Sequence, residues 1–127
     1  MDSPKTKVAV MALKLPEATR VDHDSHVQFL VRKKTFAYFL DNHHGDGIVS
    51  LCCKLLPGDN VTLIQNDPKH CYLPAYIGPR GWVAYRLDAG KIDWDHLTEL
   101  LKTSYMLCAP GKLAATLLDS WHDRRTD

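Results

Sequence analysis

Histidine side chains, with acidic and thiol neighbours, are the residues of this sequence that could bind a metal ion. Zinc sites usually need four donors, spaced in pairs whose side chains can converge. No group here has a recognised spacing, so we predict no metal site and interpret the histidines as solvated loop residues. The groups are His23, Asp24 and His26; His43, His44 and Asp46; and His70 with Cys71.

The four cysteines, Cys52, Cys53, Cys71 and Cys108, form no Cys-x-x-Cys pair and are expected to be free thiols. Cys52 and Cys53 are adjacent on a predicted strand, so their side chains point to opposite faces and cannot easily share a ligand. We predict that both are small buried hydrophobic residues. We see no signal peptide and no apolar run near the roughly 20 residues that span a bilayer, so we expect a cytoplasmic protein without a membrane partner.

The sequence has raw material for a Ser/His/Asp nucleophile but no motif that would place it. It contains neither Gly-x-Ser-x-Gly nor a phosphate loop ending in Gly-Lys. Ser104 falls late in an apolar helical stretch, where we expect it to hydrogen-bond a backbone carbonyl or to pack the helix against the sheet. We therefore predict no catalytic residues, no cofactor and no enzymatic activity.

Arg32, Lys33 and Lys34 form the only run of three like charges and lie between two predicted strands. A basic hairpin tip is a wing that could lie along a phosphate backbone, and Arg80 and Arg86 would extend it if they fell on the same side. The net charge of only +1 argues against DNA held mainly by bulk charge. Phosphate contacts that are independent of sequence would in any case give weak binding. The alternative is a solvated turn that protects a sheet edge. Further candidates for the same surface are Lys54, Lys69, Arg124 and Arg125.

An aromatic, proline-bearing loop, residues 72–80, carries Tyr72 and Tyr76 and is a second candidate binding element. Its aromatic rings, with Trp82, Tyr85 and Trp94, could stack nucleobases. The alternative places both tryptophans in the core between sheet and helix. An interaction module for a protein partner or small ligand is the rival function: an apolar pocket under loop 72–80 would favour it, whereas one continuous positive face would favour DNA.

The first half of the chain predicts a helix followed by strands. Ser3 and Pro4 suit a helix start, and Pro16 ends that helix. Residues 26–31 and 35–41 alternate as strands of a hairpin, and residues 48–55 read as a central strand. In the second strand we expect one face to carry Phe36, Tyr38 and Leu40, and the other Ala37 and Phe39.

The second half predicts one more strand between helices. Residues 60–66 suit a short helix or turn, residues 81–87 a strand, and Asp93 the cap of a long helix. A final helix is marked by Leu113, Leu117 and Trp121. Grouped strands flanked by helices, in a chain of 127 residues, predict one α+β domain over residues 1–127 with a mostly antiparallel sheet.

An ordered set of short motifs between residues 13 and 118 resembles the MmcQ/YjbR family. The motifs are Leu15-Pro16-Glu17, Phe29, Lys34-Thr35-Phe36-Ala37, Val49-Ser50-Leu51, Pro74-Ala75-Tyr76, Gly81-Trp82-Val83 and Ser104-Tyr105. The resemblance implies a CyaY-like, or double-wing, α+β fold. Members are commonly described as DNA-binding on the strength of that architecture, and the family has no established catalytic residues. It therefore implies a small non-catalytic binding protein, with weakly bound DNA as the expected partner.

Overall fold

A six-stranded antiparallel sheet with helices forms the framework of the computed structural model, which describes residues 3–43 and 45–116. The strand order across the sheet is β1-β2-β3-β4-β6-β5. This arrangement confirms the predicted α+β class and the antiparallel sheet. The strands are β1 (Thr19–Asp22), β2 (His26–Val31), β3 (Lys34–Asp41), β4 (Val49–Lys54), β5 (Cys71–Tyr72) and β6 (Trp82–Arg86). Three helices have both ends in the described residues, namely α1 (Pro4–Leu13), α2 (Asp59–Asn66) and α3 (Trp94–Cys108), and a 3₁₀ turn lies at Gly78–Arg80.

The β2–β3 hairpin turns through Arg32 and Lys33, whose φ angles are 49° and 69°. Positive φ at both central residues is typical of the two-residue turn that matches the twist of the flanking strands. Val31 and Lys34 close the turn as a cross-strand pair. The predicted hairpin with a basic tip is therefore confirmed, and β3 begins one residue earlier than the pattern predicted.

A β-bulge in this hairpin corrects the predicted faces of β3. Phe29 pairs with Ala37 but Leu30 pairs with Thr35, so Phe36 is an extra residue without a partner in β2. An inserted residue breaks the two-residue alternation of side chains. Phe36 joins the core under the helices, where its ring meets Tyr105 edge-on at 5.5 Å. Its predicted grouping with the outward-facing Tyr38 and Leu40, which pack in another cluster, was wrong.

The main core lies between one face of the sheet and helices α1 and α3. Strand residues such as Phe29, Phe39 and Leu51 meet Leu97 and Leu101 of α3 there. Helix α3 begins as predicted, since the side chain of its N-cap, Asp93, accepts a 3.1 Å hydrogen bond from the His96 N–H. Helix α1 is likewise capped by Ser3. The buried residues of α3, among them Leu97, Leu101 and Tyr105, form the stripe that packs against the sheet.

The tryptophans correct one expectation about the core. Trp82 is buried, but it packs with Cys52 and Ala84 on the sheet face opposite the helices rather than at the sheet–helix interface. Trp94 is only partly buried, and the Lys7 ammonium lies 4.7 Å from its ring centroid. The sequence led us to expect both rings between sheet and helix, because the alternation of side chains along a strand does not show which face of the sheet a helix covers.

All four cysteines are free thiols, as predicted, and the predicted burial of Cys52 and Cys53 extends to Cys71 and Cys108. Cys52 and Cys53 belong to separate clusters on opposite faces of β4, in agreement with the predicted alternation. Two strands were not predicted, β1 and β5: every β1 residue is exposed and β5 has only two residues, so neither leaves an alternating pattern. The final helix begins at residue 111 and continues to residue 116, and Leu117 and Trp121 lie outside the described residues. Among the described helices none is long and apolar enough to cross a bilayer.

Candidate functional site

The face of the sheet opposite the helices carries the side chains that form a candidate site. Because directly paired residues in neighbouring strands point to the same face, the register fixes which of them are neighbours. Two adjacent rows cross β2, β3, β4 and β6 on this face. They are His26, Leu40, Ser50 and Arg86; and Gln28, Tyr38, Cys52 and Ala84.

Loop 72–80 covers part of this face and is fixed by buried polar contacts. The Tyr72 hydroxyl lies 2.9 Å from the Ser50 Oγ atom in β4. The Asn60 side-chain amide, buried at the start of α2, donates to the carbonyl oxygens of Gly78 and Trp82 at 3.0 and 2.9 Å. A Cβ atom at Gly78 would lie 2.5 Å from the Leu73 side chain, so glycine lets the loop fold back on itself. These contacts hold the loop in place above the sheet.

A cleft of about 270 Å³ opens between the sheet and the loop. Its floor is apolar, formed by Leu40 and Cys52, and its roof consists of Ala75, Tyr76 and Ile77. His26, Tyr38 and His43 complete the lining. Burial raises the pKa of the Cys52 thiol to about 12, so the floor holds an unreactive thiol rather than a nucleophilic thiolate. A mostly apolar cleft with few polar groups is the usual form of a small-molecule site.

Three histidines meet beside the cleft, and two of them, His26 and His43, line it. The His26 ring stacks on His23 with centroids 4.2 Å apart and meets His43 edge-on at 4.6 Å. The outer rings are held by polar neighbours, since His43 Nδ1 lies 2.7 Å from Ser25 Oγ and His23 Nε2 lies 3.1 Å from Gln28 Oε1. This arrangement fixes the orientation of the central ring, His26.

One ring nitrogen of His26 lacks a hydrogen-bond partner among the described residues. Its Nδ1 atom is buried and has no hydrogen-bond partner within the described part of the protein. Burial lowers the pKa of His26, and the neighbouring His23 and His43 lower it further. The imidazole is therefore neutral at neutral pH, and its buried Nδ1 atom is a polar group that the described residues leave unsatisfied.

Tyr76 combines strong exposure with an unfavourable backbone conformation. Its side chain is 88% exposed, and its φ angle is +68°. A non-glycine residue in this region costs on the order of 1 kcal/mol or more, and such residues cluster at ligand-binding and switch sites. The loop thus holds an aromatic ring in water at the mouth of the cleft, although burial of the ring and a negative φ angle would each be more favourable.

In the described part of the chain, the histidines at the cleft are not arranged as a metal centre. His23 and His26 face one another through their π surfaces, whereas metal binding requires ring nitrogens that converge on one point. No group of three or more His, Cys, Asp or Glu side chains in residues 3–43 and 45–116 could hold a metal ion. Two histidines nevertheless correct the interpretation of solvated loop residues: His26 lies partly buried on β2, and His70 pairs with Asp67 at 3.1 Å.

The structure gathers some of the predicted basic residues and separates others. Lys33 and Lys34 lie exposed at the hairpin tip, and Arg80 lies at the same end of the sheet, just before β6. Arg32 is neutralised there by Glu17, whose carboxylate accepts from its Nε and Nη2 atoms at 2.7 and 2.9 Å. Arg86 lies near the opposite end of the sheet.

Of the remaining basic candidates that the structure describes, only Lys54 lies at the tip end of the sheet. The Arg86 guanidinium pairs with Asp88 at 2.9 Å. Arg86 lies on β6 opposite Ser50 of β4, at the end of the sheet away from the hairpin tip. Lys54 lies at the tip end and Lys69 contacts Gly90 beyond the other end of β6. Arg124 and Arg125 lie outside the described residues.

Sequence reasoning identified the loop but missed the sheet side of the cleft. Tyr72 does not line the cleft; its hydroxyl contact with Ser50 braces the loop, whereas Tyr76 forms part of the roof. Of the missed residues, His26 and Tyr38 carried a signal, because they alternate on the outward face of their predicted strands. His43 and Ile77 carried none, because only the three-dimensional fold brings them to the same space.

An antiparallel sheet with helices on one face and a loop over the other defines a small α+β domain, and comparison with known proteins gives its family. The chain belongs to the YjbR family, whose model matches residues 13–107. The chain is also similar in fold to the crystal structure of a Deinococcus radiodurans protein with a DUF419 domain. The TM-score is 0.63 at 24% identity, over 79% of this chain and 74% of that one, which shows the fold alone. None of the curated proteins matches this chain in sequence.

Proposed function

We propose that this YjbR-family protein is a cytoplasmic, non-catalytic binding protein whose cleft under loop 72–80 holds a small planar ligand. The observation that carries the proposal is the buried, unpartnered Nδ1 atom of His26 at the wall of the aromatic cleft. A buried polar atom without a partner costs roughly 1–3 kcal/mol. A ligand that supplies the missing hydrogen bond recovers this free energy on binding.

The lining of the cleft favours a planar ring as the ligand. His26 and Tyr38 present aromatic surfaces on the sheet side, and Tyr76 presents one from the roof. Aromatic rings favour offset-stacked or edge-to-face contacts with another ring. The apolar floor of Leu40 and Cys52 takes the hydrophobic part of such a ring, and His26 Nδ1 fixes its orientation. Because either tautomer of a neutral imidazole is accessible, Nδ1 can donate to the ligand or accept from it.

The side chains around the cleft support binding rather than catalysis. The Cys52 thiol is protonated at neutral pH, since its pKa is raised to about 12 by burial. The nearby hydroxyl of Ser50 is engaged with Tyr72. Neither residue is paired with a general base in the way that activated nucleophiles are. Four buried free thiols also accord with the reducing cytoplasm.

The proposal is tested by thermal-shift measurements with planar heterocycles that carry a donor or acceptor on the ring edge. Suitable probes are indole, adenosine and nicotinamide, each at millimolar concentration with wild-type protein and with Tyr76→Ala. We expect at least one probe to raise the melting temperature of the wild type, and to raise that of Tyr76→Ala less. Val61→Ala, an exposed change on α2 outside the cleft, is the matched control. No shift with any probe, or equal shifts in all three proteins, would contradict the proposal.

A second candidate function, weak binding of DNA phosphates by the hairpin tip, is favoured by the position of Lys33 and Lys34. Lys33 lies in the positive-φ turn at the apex of the β2–β3 hairpin, Lys34 follows it as the first residue of β3, and Arg80 lies at the same end of the sheet. The Glu17 contact to Arg32 and the remote place of Arg86 leave this basic patch small. We therefore prefer ligand binding in the cleft to DNA binding at the hairpin tip. Substitutions of His26 and Tyr76 test the cleft, and substitutions of Lys33 and Lys34 test the tip.

A further inference from the structure

Strand β1 forms an edge of the sheet whose outer side is unpaired. It pairs with β2 on one side, and no other described strand lies beside it. All four of its residues are exposed. An unpaired edge presents a row of backbone N–H and C=O groups that can pair with another strand.

The register identifies which backbone groups point outward. The His23 N–H donates to the His26 carbonyl oxygen at 2.8 Å, and this pair continues the register in which Val21 faces Gln28. In an antiparallel pair, hydrogen-bonded and non-hydrogen-bonded residues alternate. Val21 therefore directs its backbone groups toward β2, whereas Arg20 and Asp22 direct theirs to the free edge.

We propose that this edge pairs with β1 of a second copy of the chain, antiparallel, about a two-fold axis through Val21. In that arrangement Arg20 lies opposite Asp22 of the partner subunit, and the two residues exchange both of their outward backbone hydrogen bonds. The two-fold axis repeats the same exchange on the other side of Val21. Backbone groups that are unpaired in the monomer are thus satisfied without any change of conformation.

The charges of β1 select this register over its neighbours. An axis through Arg20 would place two guanidinium groups opposite each other, and an axis through Asp22 would oppose two carboxylates. Like charges in directly opposed positions are destabilising, whereas opposite charges stabilise a cross-strand pair. An axis between two residues would place a residue whose backbone groups point to the free edge opposite one whose backbone groups point toward β2, so the two could not form hydrogen bonds. The axis through Val21 alone satisfies both the hydrogen bonds and the charges.

The side chains already have the conformations that this pairing needs. Arg20 and Asp22 point to the same side of β1, where Nε–Oδ1 and Nη2–Oδ2 distances of 2.8 and 2.9 Å join them within the strand. In the dimer each guanidinium lies between its own carboxylate and that of the partner subunit. Val21, 45% exposed, projects from the other side of the strand and meets Val21 of the partner subunit.

The interface is small, so the dimer is a transient one. A four-residue edge buries less than the roughly 1,200 Å² that marks the low end of stable interfaces. Association is therefore concentration-dependent. Because the axis is perpendicular to the sheet, the two sheets join into one, and both open faces lie on the same side.

Sedimentation velocity over a wide range of protein concentration tests the proposal. We expect the weight-average sedimentation coefficient of the wild type to rise with concentration, from the value of a monomer toward that of a dimer. Arg20→Asp and Asp22→Arg each place like charges opposite each other, and each should abolish the rise. The double variant Arg20→Asp/Asp22→Arg restores opposite charges in the same register and should restore the rise. Arg80→Asp, a charge reversal elsewhere on the surface, should behave as the wild type.

Each other outcome overturns the proposal. A wild type that stays monomeric at every concentration excludes the dimer. Single variants that dimerise as well as the wild type place the contact on another surface. A double variant that stays monomeric excludes the register through Val21. Circular dichroism melting of every variant, compared with the wild type, verifies that the monomers are folded.

Discussion

The hydroxyl of Ser104 in α3 donates a 2.5 Å hydrogen bond to the carbonyl oxygen of Phe36 in β3. The Oγ atom of Ser104 also accepts a 2.7 Å hydrogen bond from the backbone N–H of Lys54 in β4. Ser104 is fully buried, and its one hydroxyl satisfies a backbone group on each of two strands. The residue that accepts from it, Phe36, is the bulge residue of β3, which has no pairing partner in β2. The helix therefore stabilises the sheet at the point where its ladder is interrupted.

Ser104→Ala should lower the free energy of unfolding by about 1–3 kcal/mol, because it leaves a buried carbonyl and a buried N–H unsatisfied. Urea unfolding followed by circular dichroism measures the change. Thr103→Ala is the matched control: it is the adjacent, exposed position on the same helix and should change stability by less than about 0.5 kcal/mol. Equal stability of Ser104→Ala and the wild type would show that the two hydrogen bonds contribute nothing net.

Trp82→Ala should be the more damaging of two tryptophan truncations. Trp82 is buried against Cys52 and Ala84, and its truncation should cost about 3–5 kcal/mol, the range for large aromatic side chains in cores. Trp94→Ala should cost less, because part of that ring is already in water. Thermal melting of the two variants gives the comparison. A larger loss of stability for Trp94→Ala would contradict the burial of the two rings.

The pKa of His26 predicts that stability declines in mild acid. Burial, reinforced by His23 and His43, lowers this pKa below the ordinary value of 6.5. The unfolded chain then binds a proton more readily than the folded one, so the stabilisation is complete above pH 6.5 and is lost as the pH falls through the folded-state pKa. Urea unfolding of the wild type at pH 7.5 and 5.5 should show this decline.

The variant His26→Phe isolates the contribution of His26 to that decline. Phenylalanine keeps a ring at this position but cannot bind a proton, so the loss of stability between pH 7.5 and 5.5 should be smaller. The carboxylates of Glu17 and Asp22 have pKa values lowered by their arginine partners, so they titrate below this window. An identical pH dependence in His26→Phe and the wild type would show that His26 is not the group responsible.

If the hairpin tip binds DNA, the double variant Lys33→Glu/Lys34→Glu should weaken that binding and flatten its salt dependence. Affinity without base contacts is expected on the order of 10⁻⁴ to 10⁻⁶ M near physiological salt, and removing one lysine–phosphate interaction reduces the salt slope by about 1. Fluorescence anisotropy with a labelled duplex at two salt concentrations measures both quantities. Thermal stability should be nearly unchanged, since both lysines are exposed.

Lys91→Glu/Lys112→Glu makes the same change in net charge on other exposed parts of the surface and should retain DNA binding. If both double variants weakened DNA binding equally, the overall charge of the protein and not the hairpin tip would account for the loss. Absence of wild-type binding at low salt would exclude the hairpin tip as a DNA site.

The sequence was most informative where a local pattern determines the local structure. The β2–β3 hairpin follows from alternation on either side of a polar turn, and the start of α3 follows from Asp93 as a cap. Strand β1 was not predictable, because a fully exposed edge strand has no apolar side to alternate. The bulge at Phe36 was not predictable either, because the extra residue becomes visible only when the partner strand is known.

The cleft lies further beyond sequence reasoning, because its lining combines distant segments. His26 comes from β2, Cys52 from β4 and Ile77 from loop 72–80, and pairing across the sheet brings them together. The sequence showed the loop as a candidate through its aromatic residues. The missing hydrogen-bond partner of His26 Nδ1, and the contacts of this ring with His23 and His43, arise only in the folded sheet, and no spacing along the chain encodes them.

The most direct test of the proposed function follows His26 itself by NMR while a planar heterocycle is added. In ¹⁵N-labelled protein titrated with indole, adenosine or nicotinamide, at least one probe should shift the Nδ1 resonance of His26 and the amide signals of Ile77 and Tyr38. His26→Phe keeps a ring but lacks Nδ1, so it should bind that probe roughly tenfold more weakly, the equivalent of one hydrogen bond. Shifts confined to residues outside the cleft, or equal affinity in His26→Phe, would contradict the assignment of the cleft as the binding site.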